Sequence, residues 1–157
     1  MHLLLLRFLG DLLEEAKPAH IAVAFDESLS SSFRNEIFPA YKANREPAPP
    51  ELKRQFALCR ELCRLLGIAQ FSSPTHEADD IIGTIAARFR ERGHCSVLVT
   101  RDKDLAQLIR DGDAYWDYAG ERRYGYADIE GQFGVRPERM ADFLALTGDT
   151  VDNIPGV

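Results

Sequence analysis

The chain has 157 residues, of which 45% are hydrophobic and 28% are charged. These values are typical of a soluble globular protein that is large enough for one domain with its own core. The formal net charge of −6 argues against a protein that grips nucleic acid through overall basicity, although a separate basic patch stays compatible with nucleic acid. The apolar run from His2 to Leu6 is too short to span a membrane.

Hydrophobic periodicity predicts alternating helices and strands along the chain. Helices are predicted over 3–15, 51–66, from Glu77 to Arg92, as a short turn after Asp104, over 128–133, and from Pro137 to Thr147. Strands are predicted over 20–25, 68–71, 96–100, 114–118 and 123–126, and the strands 20–25 and 96–100 read as buried. The order predicts an α/β fold with a mainly parallel, twisted sheet flanked by helices.

The cysteines Cys59, Cys63 and Cys95 form neither a metal-binding nor a disulfide pattern. An odd number of cysteines without a framework favours a reducing, cytoplasmic setting. The spacing of four residues between Cys59 and Cys63 predicts that both lie on one buried helix face.

Residues 28–50 are polar and rich in serine and proline, and long segments of this kind are usually functional or disordered. Three cations interleave with two aromatic residues there, namely Arg34, Lys42 and Arg45 with Phe33 and Tyr41. Cations and rings in this arrangement suit a phosphate backbone and stacked bases. The alternative is a solvated loop.

Acidic residues recur where predicted elements begin or end. Glu77, Asp79 and Asp80 open a helix, where the alternatives are a solvated, capped helix start and a cation site. Asp26 follows the first predicted strand, and taken alone it fits a turn equally well. The remaining acids of this kind are Asp102 and Asp104 after the strand 96–100, and Asp149 and Asp152 after the last helix.

Right-handed crossovers place the carboxyl ends of parallel strands at one edge of a sheet, so Asp26, Asp102 and Asp104 are expected to converge. The segments around Glu77 and Asp149 can reach the same edge. Eight carboxylates without nearby cations would repel one another strongly, and bound divalent metal would remove that repulsion. Oxygen ligands without a histidine and cysteine set indicate Mg²⁺ or Mn²⁺ rather than zinc, and two ions suit attack of water on a phosphodiester.

Four motifs occur together in a specific order: FR at 33–34 with YKANR at 41–45, EADD at 77–80, TRDKD at 100–104, and GDTVDNIPG at 148–156. They resemble the 5′-3′ exonuclease domain of bacterial DNA polymerase I and the free-standing flap endonucleases, over nearly the whole chain from about Leu9. The resemblance implies a single PIN-like domain over 1–157 with a helical arch or loop over 28–50. It also implies cleavage of DNA at a 5′ flap, a nick or a single-stranded 5′ end, and of the RNA primer in an RNA/DNA hybrid, in DNA replication and repair near the bacterial nucleoid.

The resemblance also implies residue roles. The metal-site carboxylates would be Asp26, Glu77, Asp79, Asp80, Asp102 and Asp104, with Asp149 and Asp152 holding the second of two Mg²⁺ or Mn²⁺ ions. Lys42 and Arg45 would be the catalytic arch cations that meet the scissile phosphate or the threaded strand. Together with Arg34 and Tyr41 they would contact the DNA.

Two departures from the family pattern leave alternatives open. The chain has no counterpart of the family's first strand, which carries an aspartate, and the helix-three-turn-helix element expected after Val157 is absent. One alternative is therefore a truncated, catalytically impaired remnant that only binds branched DNA, with a second chain as a candidate for completing the sheet. A relative that acts on RNA, or an acid-rich phosphatase, is a third reading, and neither of these requires the segment from Tyr41 to Arg45.

Overall fold

The computed structural model describes residues 2–27 and 32–157, so residues 28–31 at the start of the predicted 28–50 segment lie outside the described residues. The chain divides into two compact units, Met1–Ser32 with Arg45–Ala78, and Phe33–Asn44 with Asp79–Val157. The single domain over 1–157 stays a prediction. Within the described ranges, no helix is both long enough and apolar enough to cross a membrane.

The elements alternate between helices and strands as the periodicity predicts. The helices are α1 (His2–Ala16), α2 (Phe33–Ile37), α3 (Pro50–Leu65), α4 (Ala78–Glu91), α5 (Tyr126–Phe133) and α6 (Met140–Thr147). The strands are β1 (Ala22–Asp26), β2 (Ala69–Ser73), β3 (Val97–Val99), β4 (Ala114–Asp117) and β5 (Arg122–Gly125). Two 3-10 helices, Lys103–Leu108 and Pro137–Arg139, lie between them.

The first unit packs α1 and α3 beside a parallel ladder of β1 and β2, whose register runs from Ala22 opposite Ala69 to Asp26 opposite Ser73. Its core is built from Leu9, Cys63 and Ile68. Cys59 and Cys63 are both buried on α3, which confirms the prediction from their spacing. The apolar stripe of α1 forms as expected, because Leu9 and Leu12 are buried while the polar side of the helix is exposed.

The second unit contains a sheet in which β3 pairs with β4 in parallel and β4 pairs with β5 antiparallel. The β4–β5 hairpin confirms the predicted pair over 114–118 and 123–126. The core of this unit consists of Ala106, Ile109, Tyr115, Ile129 and Met140, which come from the first 3-10 helix, the residue after it, β4, α5 and α6. The first 3-10 helix is thereby fixed against the core at the carboxyl end of β3.

The α/β class with mainly parallel pairing is confirmed, since β1–β2 and β3–β4 are parallel ladders. The predicted burial of both strands, 20–25 and 96–100, is wrong. In β1, Ala22 is exposed and residues 23–25 are only partly buried, while in β3 Val97 is 44% exposed and Val99 is 38% exposed. The reason is that each lies at the edge of its sheet among the described strands, since β1 pairs with β2 alone and β3 with β4 alone. An exposed apolar edge of this kind is a surface on which another strand could pair.

Candidate active site

In the first unit, Asp26 ends β1 and serves as a cap for a helix far along the chain. Its Oδ1 accepts a hydrogen bond of 2.7 Å from the backbone N–H of Ala78, the first residue of α4. The first N–H groups of a helix lack partners within the helix, so this contact satisfies one of them. Glu77 directly precedes the helix and is buried, with 8% exposure. The local turn that Asp26 alone would suggest is therefore replaced by a long-range cap.

In the second unit, Asp102 caps the 3-10 helix that follows β3. Its Oδ1 accepts a hydrogen bond of 2.9 Å from the backbone N–H of Asp104, while its own N–H donates to Thr100 Oγ1 at 3.0 Å. The turn places Asp104 in a half-buried position at the carboxyl end of the strand. Among the described residues, Asp104 Oδ1 is a buried oxygen that has no hydrogen-bond partner.

The segment 148–156 forms a tight loop that fixes Asp149 and Asp152. Gly148 has φ +69°, and a Cβ at this position would lie 2.3 Å from the backbone N of Gly156. Asp149 and Ile154 exchange backbone hydrogen bonds of 2.9 and 2.7 Å across the loop. Oδ1 of Asp149 then accepts the N–H groups of Val151 at 2.8 Å and Asp152 at 3.3 Å. Only glycine can occupy such a position without strain, so the two glycines at the ends of the motif are its structural signal.

The negative charges of other predicted carboxylates act on Asp104. Burial raises the pKa of Asp104, and the negative charge of Asp102 raises it further, while Lys103 lowers it. The charges of Asp149 and Asp152 also raise the pKa of Asp104. Within the second unit, the charges of Asp102, Asp149 and Asp152 therefore all act on Asp104.

Two predicted metal-site carboxylates have cationic partners. Arg34 on α2 forms a two-pronged pair with Asp80, with both N–O distances at 2.7 Å. Lys42 Nζ lies 3.8 Å from Asp152 Oδ2. The expectation that the acids lack nearby cations is therefore wrong at these two positions. The physical reason is that the segment 33–44 folds onto this unit instead of extending into solvent.

The packing of Tyr41 differs from the expected base-stacking surface. Tyr41 is buried at 7% exposure, its hydroxyl lies 3.4 Å from Asp152 Oδ2, and Lys42 Nζ lies 4.8 Å from its ring centre. Stacking requires an accessible ring face, so in this conformation the ring contributes packing. Its role as a DNA contact stays a prediction, as does that of the exposed Arg45, which belongs to the first unit.

Two asparagines to which the sequence assigned no role fasten the segment 40–44 to the loop 148–156. Asn153 Nδ2 donates to the carbonyl of Ala40 at 2.8 Å, and Asn44 Nδ2 donates to the carbonyl of Thr150 at 3.4 Å. The partners are more than 100 residues apart, so no local sequence signal reveals the contacts. Both asparagines nevertheless lie inside the motifs at 41–45 and 148–156.

A cleft of about 430 Å³ lies beside the pair of Arg34 and Asp80 in the second unit. Asp79 and Asp80 from the first turn of α4 line it together with Arg34, and Gln107 and Leu108 of the 3-10 helix form part of its wall. Both acids from the start of α4 therefore face a solvent-accessible recess rather than the core.

The donor chemistry of the second unit fits a hard divalent cation. Asp102, Asp104, Asp149 and Asp152 offer only oxygen, and a cation would relieve both their mutual repulsion and the unsatisfied Oδ1 of Asp104. Within residues 2–27 and 32–157, however, no three acidic, histidine or cysteine side chains lie close enough together to hold one ion. The eight predicted ligands thus stay a prediction, and its support in the second unit is the electrostatic effect of Asp102, Asp149 and Asp152 on Asp104 together with the buried Oδ1 of Asp104.

This chain has the fold class of PIN-like domains. It is an α/β fold with acidic side chains at strand and helix ends, and in the second unit a basic segment packs beside such acids. The sequence matches the family described as "5′-3′ exonuclease, N-terminal resolvase-like domain" over residues 2–134. The chain belongs to this family.

The similarity extends to full-length proteins and to a solved structure. The chain is 41% identical to DNA polymerase I of Rhizobium leguminosarum, with 89% of this chain and 14% of the polymerase covered. It is 35% identical to flap endonuclease Xni of Serratia proteamaculans, with 95% of this chain and 60% of that protein covered. The structure of the T5 D15 protein co-crystallized with metal ions aligns with a TM-score of 0.83 at 26% identity, over 96% of this chain and 60% of that chain. The chain therefore spans less than two thirds of each of these proteins.

Proposed function

We propose that this chain is a divalent-metal-dependent 5′-3′ exonuclease and structure-specific 5′ flap endonuclease that hydrolyses phosphodiester bonds in DNA. The observation that carries the proposal is the buried, unsatisfied Oδ1 of Asp104, on which the negative charges of Asp102, Asp149 and Asp152 act; these residues are the group of four carboxylates. Carboxylates that repel one another at a strand end are poor for stability and suit a cation site. The similarity to a protein named flap endonuclease supports the same activity.

The cofactor in this proposal is Mg²⁺ or Mn²⁺. The eight carboxylates would hold two ions, and Asp149 and Asp152 would hold the second of them. A similar protein, T5 D15, was crystallised with metal ions, which supports a divalent cofactor. When bound, such ions activate water as a nucleophile and stabilise the charge that develops on the phosphate. The protein's own part is to hold these oxygens in place, as the caps at Asp26 and Asp102 and the loop 148–156 do.

Lys42 and Arg45 are the proposed catalytic cations for the scissile phosphate, and Arg34 and Tyr41 are proposed DNA contacts. The proposed substrates are DNA with a 5′ flap, a nick or a single-stranded 5′ end, and an RNA primer in an RNA/DNA hybrid. We also propose that the protein is cytoplasmic and associated with the nucleoid. A second chain that pairs along the sheet is a further proposed partner. The exposed edge strand β3 is the feature that supports strand pairing.

Cleavage of a labelled 5′-flap duplex in Mg²⁺ tests the proposal. We expect product that disappears in EDTA and in Asp102→Ala. The matched control is Asp111→Ala, because Asp111 is an exposed aspartate of the same unit that takes no part in the group of four. No product at any protein concentration, or equal product from both variants, would contradict the proposal. An RNA flap and a small phosphoester in parallel reactions separate a DNA enzyme from an RNA nuclease or a phosphatase.

Binding of branched DNA without hydrolysis is the second candidate function. The observation that favours it is the pairing of Asp80 with Arg34 and of Asp152 with Lys42, because the protein's own cations already neutralise two of the proposed ligands. Flap binding that weakens steeply with salt and yields no product in Mg²⁺ or Mn²⁺ would support this candidate. Any metal-dependent product excludes it.

A further inference from the structure

The ion pair of Lys42 and Asp152 is partly buried. The nitrogen and Oδ2 lie 3.8 Å apart, with only 10% of the lysine side chain and 17% of the aspartate side chain exposed. Salt screens a pair in such a position less than it screens a pair on the open surface. The same Oδ2 is also the oxygen that the hydroxyl of Tyr41 approaches at 3.4 Å.

Backbone contacts also hold Lys42 at this place. Lys42 adopts φ +55°, a left-handed conformation that is unfavourable for a residue with a side chain. Its N–H donates to the carbonyl of Asp152 at 2.9 Å, and Asn153 secures the neighbouring Ala40. A strained backbone that is kept by several contacts indicates that the position of the lysine matters.

We propose that Lys42 and a divalent cation compete for the carboxylate of Asp152, and that Lys42 leaves this carboxylate when the cation binds. The inference rests on the proposed function, in which Asp152 is a metal ligand and Lys42 meets the phosphate. A divalent cation at Asp152 would place a second positive charge beside the ammonium group of Lys42, and the repulsion between the two charges favours the departure of Lys42. Lys42 then serves as the counter-ion of Asp152 in the metal-free protein and becomes available to a phosphate in the metal-bound protein.

Competition of this kind lowers the apparent metal affinity of the protein, because part of the binding free energy is used to displace Lys42. Removal of the ammonium group should therefore tighten metal binding. If Lys42 only supported the fold or only bound phosphate, its removal would not tighten metal binding in this way.

Calorimetric titration of the full chain with Mn²⁺ tests the proposal without any substrate. We expect Lys42→Met to lower the Kd for Mn²⁺ about 5- to 10-fold, and Lys42→Arg to stay close to the wild type because it keeps the positive charge. Methionine keeps much of the length of lysine and the same backbone strain, and Trp116 fluorescence checks that the variants fold. The matched control is Lys103→Met, because Lys103 is exposed and its charge acts on Asp104 at the same group of acids.

Amine labelling gives a second readout that does not depend on a variant. Acetylation of Lys42, followed by mass spectrometry, should rise several-fold when saturating Mn²⁺ is added. The exposed Lys53 on α3 is the internal reference and should not change.

The outcomes separate the inference from the proposed function. Equal Kd values for the wild type and Lys42→Met, or equal tightening in Lys42→Met and Lys103→Met, would overturn the competition while leaving the metal centre in place. Protection of Lys42 from acetylation by Mn²⁺ would overturn it as well. No saturable Mn²⁺ binding to any of the proteins would overturn both the competition and the proposed metal centre.

Discussion

Two buried or half-buried aspartates in the second unit show how a structural carboxylate differs from a functional one. Asp113, which is 5% exposed, accepts hydrogen bonds from the Arg90 guanidinium, from Ser96 N–H at 2.8 Å and from Arg110 N–H at 3.1 Å. Asp104 has a buried oxygen without a hydrogen-bond partner among the described residues and lies near other negative charges. The first carboxylate is satisfied by the fold, whereas the second needs something that the fold does not supply.

The contrast teaches that burial alone does not indicate a site. Arg90 also donates to the carbonyl of Leu108 at 2.9 Å, so the pair of Arg90 and Asp113 ties α4 to the 3-10 helix and to the start of β4. Such a network stabilises one arrangement of the backbone. Around Asp104, by contrast, the fold keeps negative charges near one another although they repel. Such a cost in stability is common at functional sites.

The largest expected effect is on the satisfied carboxylate. Asp113→Ala should lower the free energy of unfolding by about 3 kcal/mol, because it leaves the Arg90 guanidinium and two backbone N–H groups without their acceptor. Urea unfolding followed by Trp116 fluorescence measures the change. Asp111→Ala, at an exposed neighbouring position, is the control and should stay within about 0.5 kcal/mol of the wild type. Similar losses in both variants would remove the distinction between a satisfied and an unsatisfied carboxylate.

The second effect concerns activity at the unsatisfied carboxylate. Asp104→Asn should lower the rate of flap cleavage at least about 100-fold, because it removes a charged oxygen from the proposed metal ligands. Single-turnover cleavage in Mg²⁺ measures the rate. If Asp104→Asn cleaves as fast as the wild type, Asp104 has no functional role and the comparison with Asp113 fails.

The third effect concerns the loop that carries two members of the group. Gly148→Ala should destabilise the protein by about 2 kcal/mol, because the new Cβ meets the backbone of Gly156 at a left-handed position. Thermal unfolding at a fixed protein concentration measures this loss. The matched variant Gly131→Ala, inside α5 and with open space around it, should be neutral or slightly stabilising. Destabilisation by Gly131→Ala as well would show that the assay does not isolate the close contact.

The smallest effect is the pH dependence of stability at Asp104. Burial, followed by the charge of Asp102, holds the pKa of Asp104 above its usual value, so the folded chain takes up the proton more readily than the unfolded chain. The charged group therefore destabilises the fold above its folded pKa, and this penalty disappears as the pH falls below about 3.9.

In metal-free buffer, Asp104→Asn should accordingly raise the free energy of unfolding at neutral pH, and the difference from the wild type should narrow on acidification. Urea titrations at several pH values measure the gap between the variant and the wild type. A gap that widens in acid would mean that the pKa of Asp104 is lowered by folding rather than raised.

The elements could be predicted from the sequence because they depend on local periodicity. The bounds of α3 and α4 fall within about two residues of those expected, and Pro50 at the start of α3 and the left-handed Gly67 soon after its end explain why. The exposure of β3 could not be predicted, because an apolar run looks the same at the edge of a sheet as at its centre.

For the candidate site, the sequence allows a prediction of the acidic residues, which stays a prediction, but it does not allow a prediction of their pairing. The order of strands and helices is enough to expect Asp102, Asp104 and Asp149 near one another, since strand ends and loops share an edge. The pair of Arg34 and Asp80 joins residues 46 positions apart, and the burial of Tyr41 depends on how a short helix packs. Such contacts follow from tertiary packing, which periodicity does not encode.

The bond between Asp26 and Ala78 has a consequence for how the chain folds. The two residues are 52 positions apart, so the first turn of α4 is completed by a group that arrives only when a long stretch of backbone has closed on itself. Closing such a stretch carries an entropic cost that local helix formation does not. The start of α4 should therefore become protected from hydrogen exchange late in refolding, after the middle of the same helix. Asp26, a proposed metal ligand, would then also determine when the first turn of α4 forms during folding.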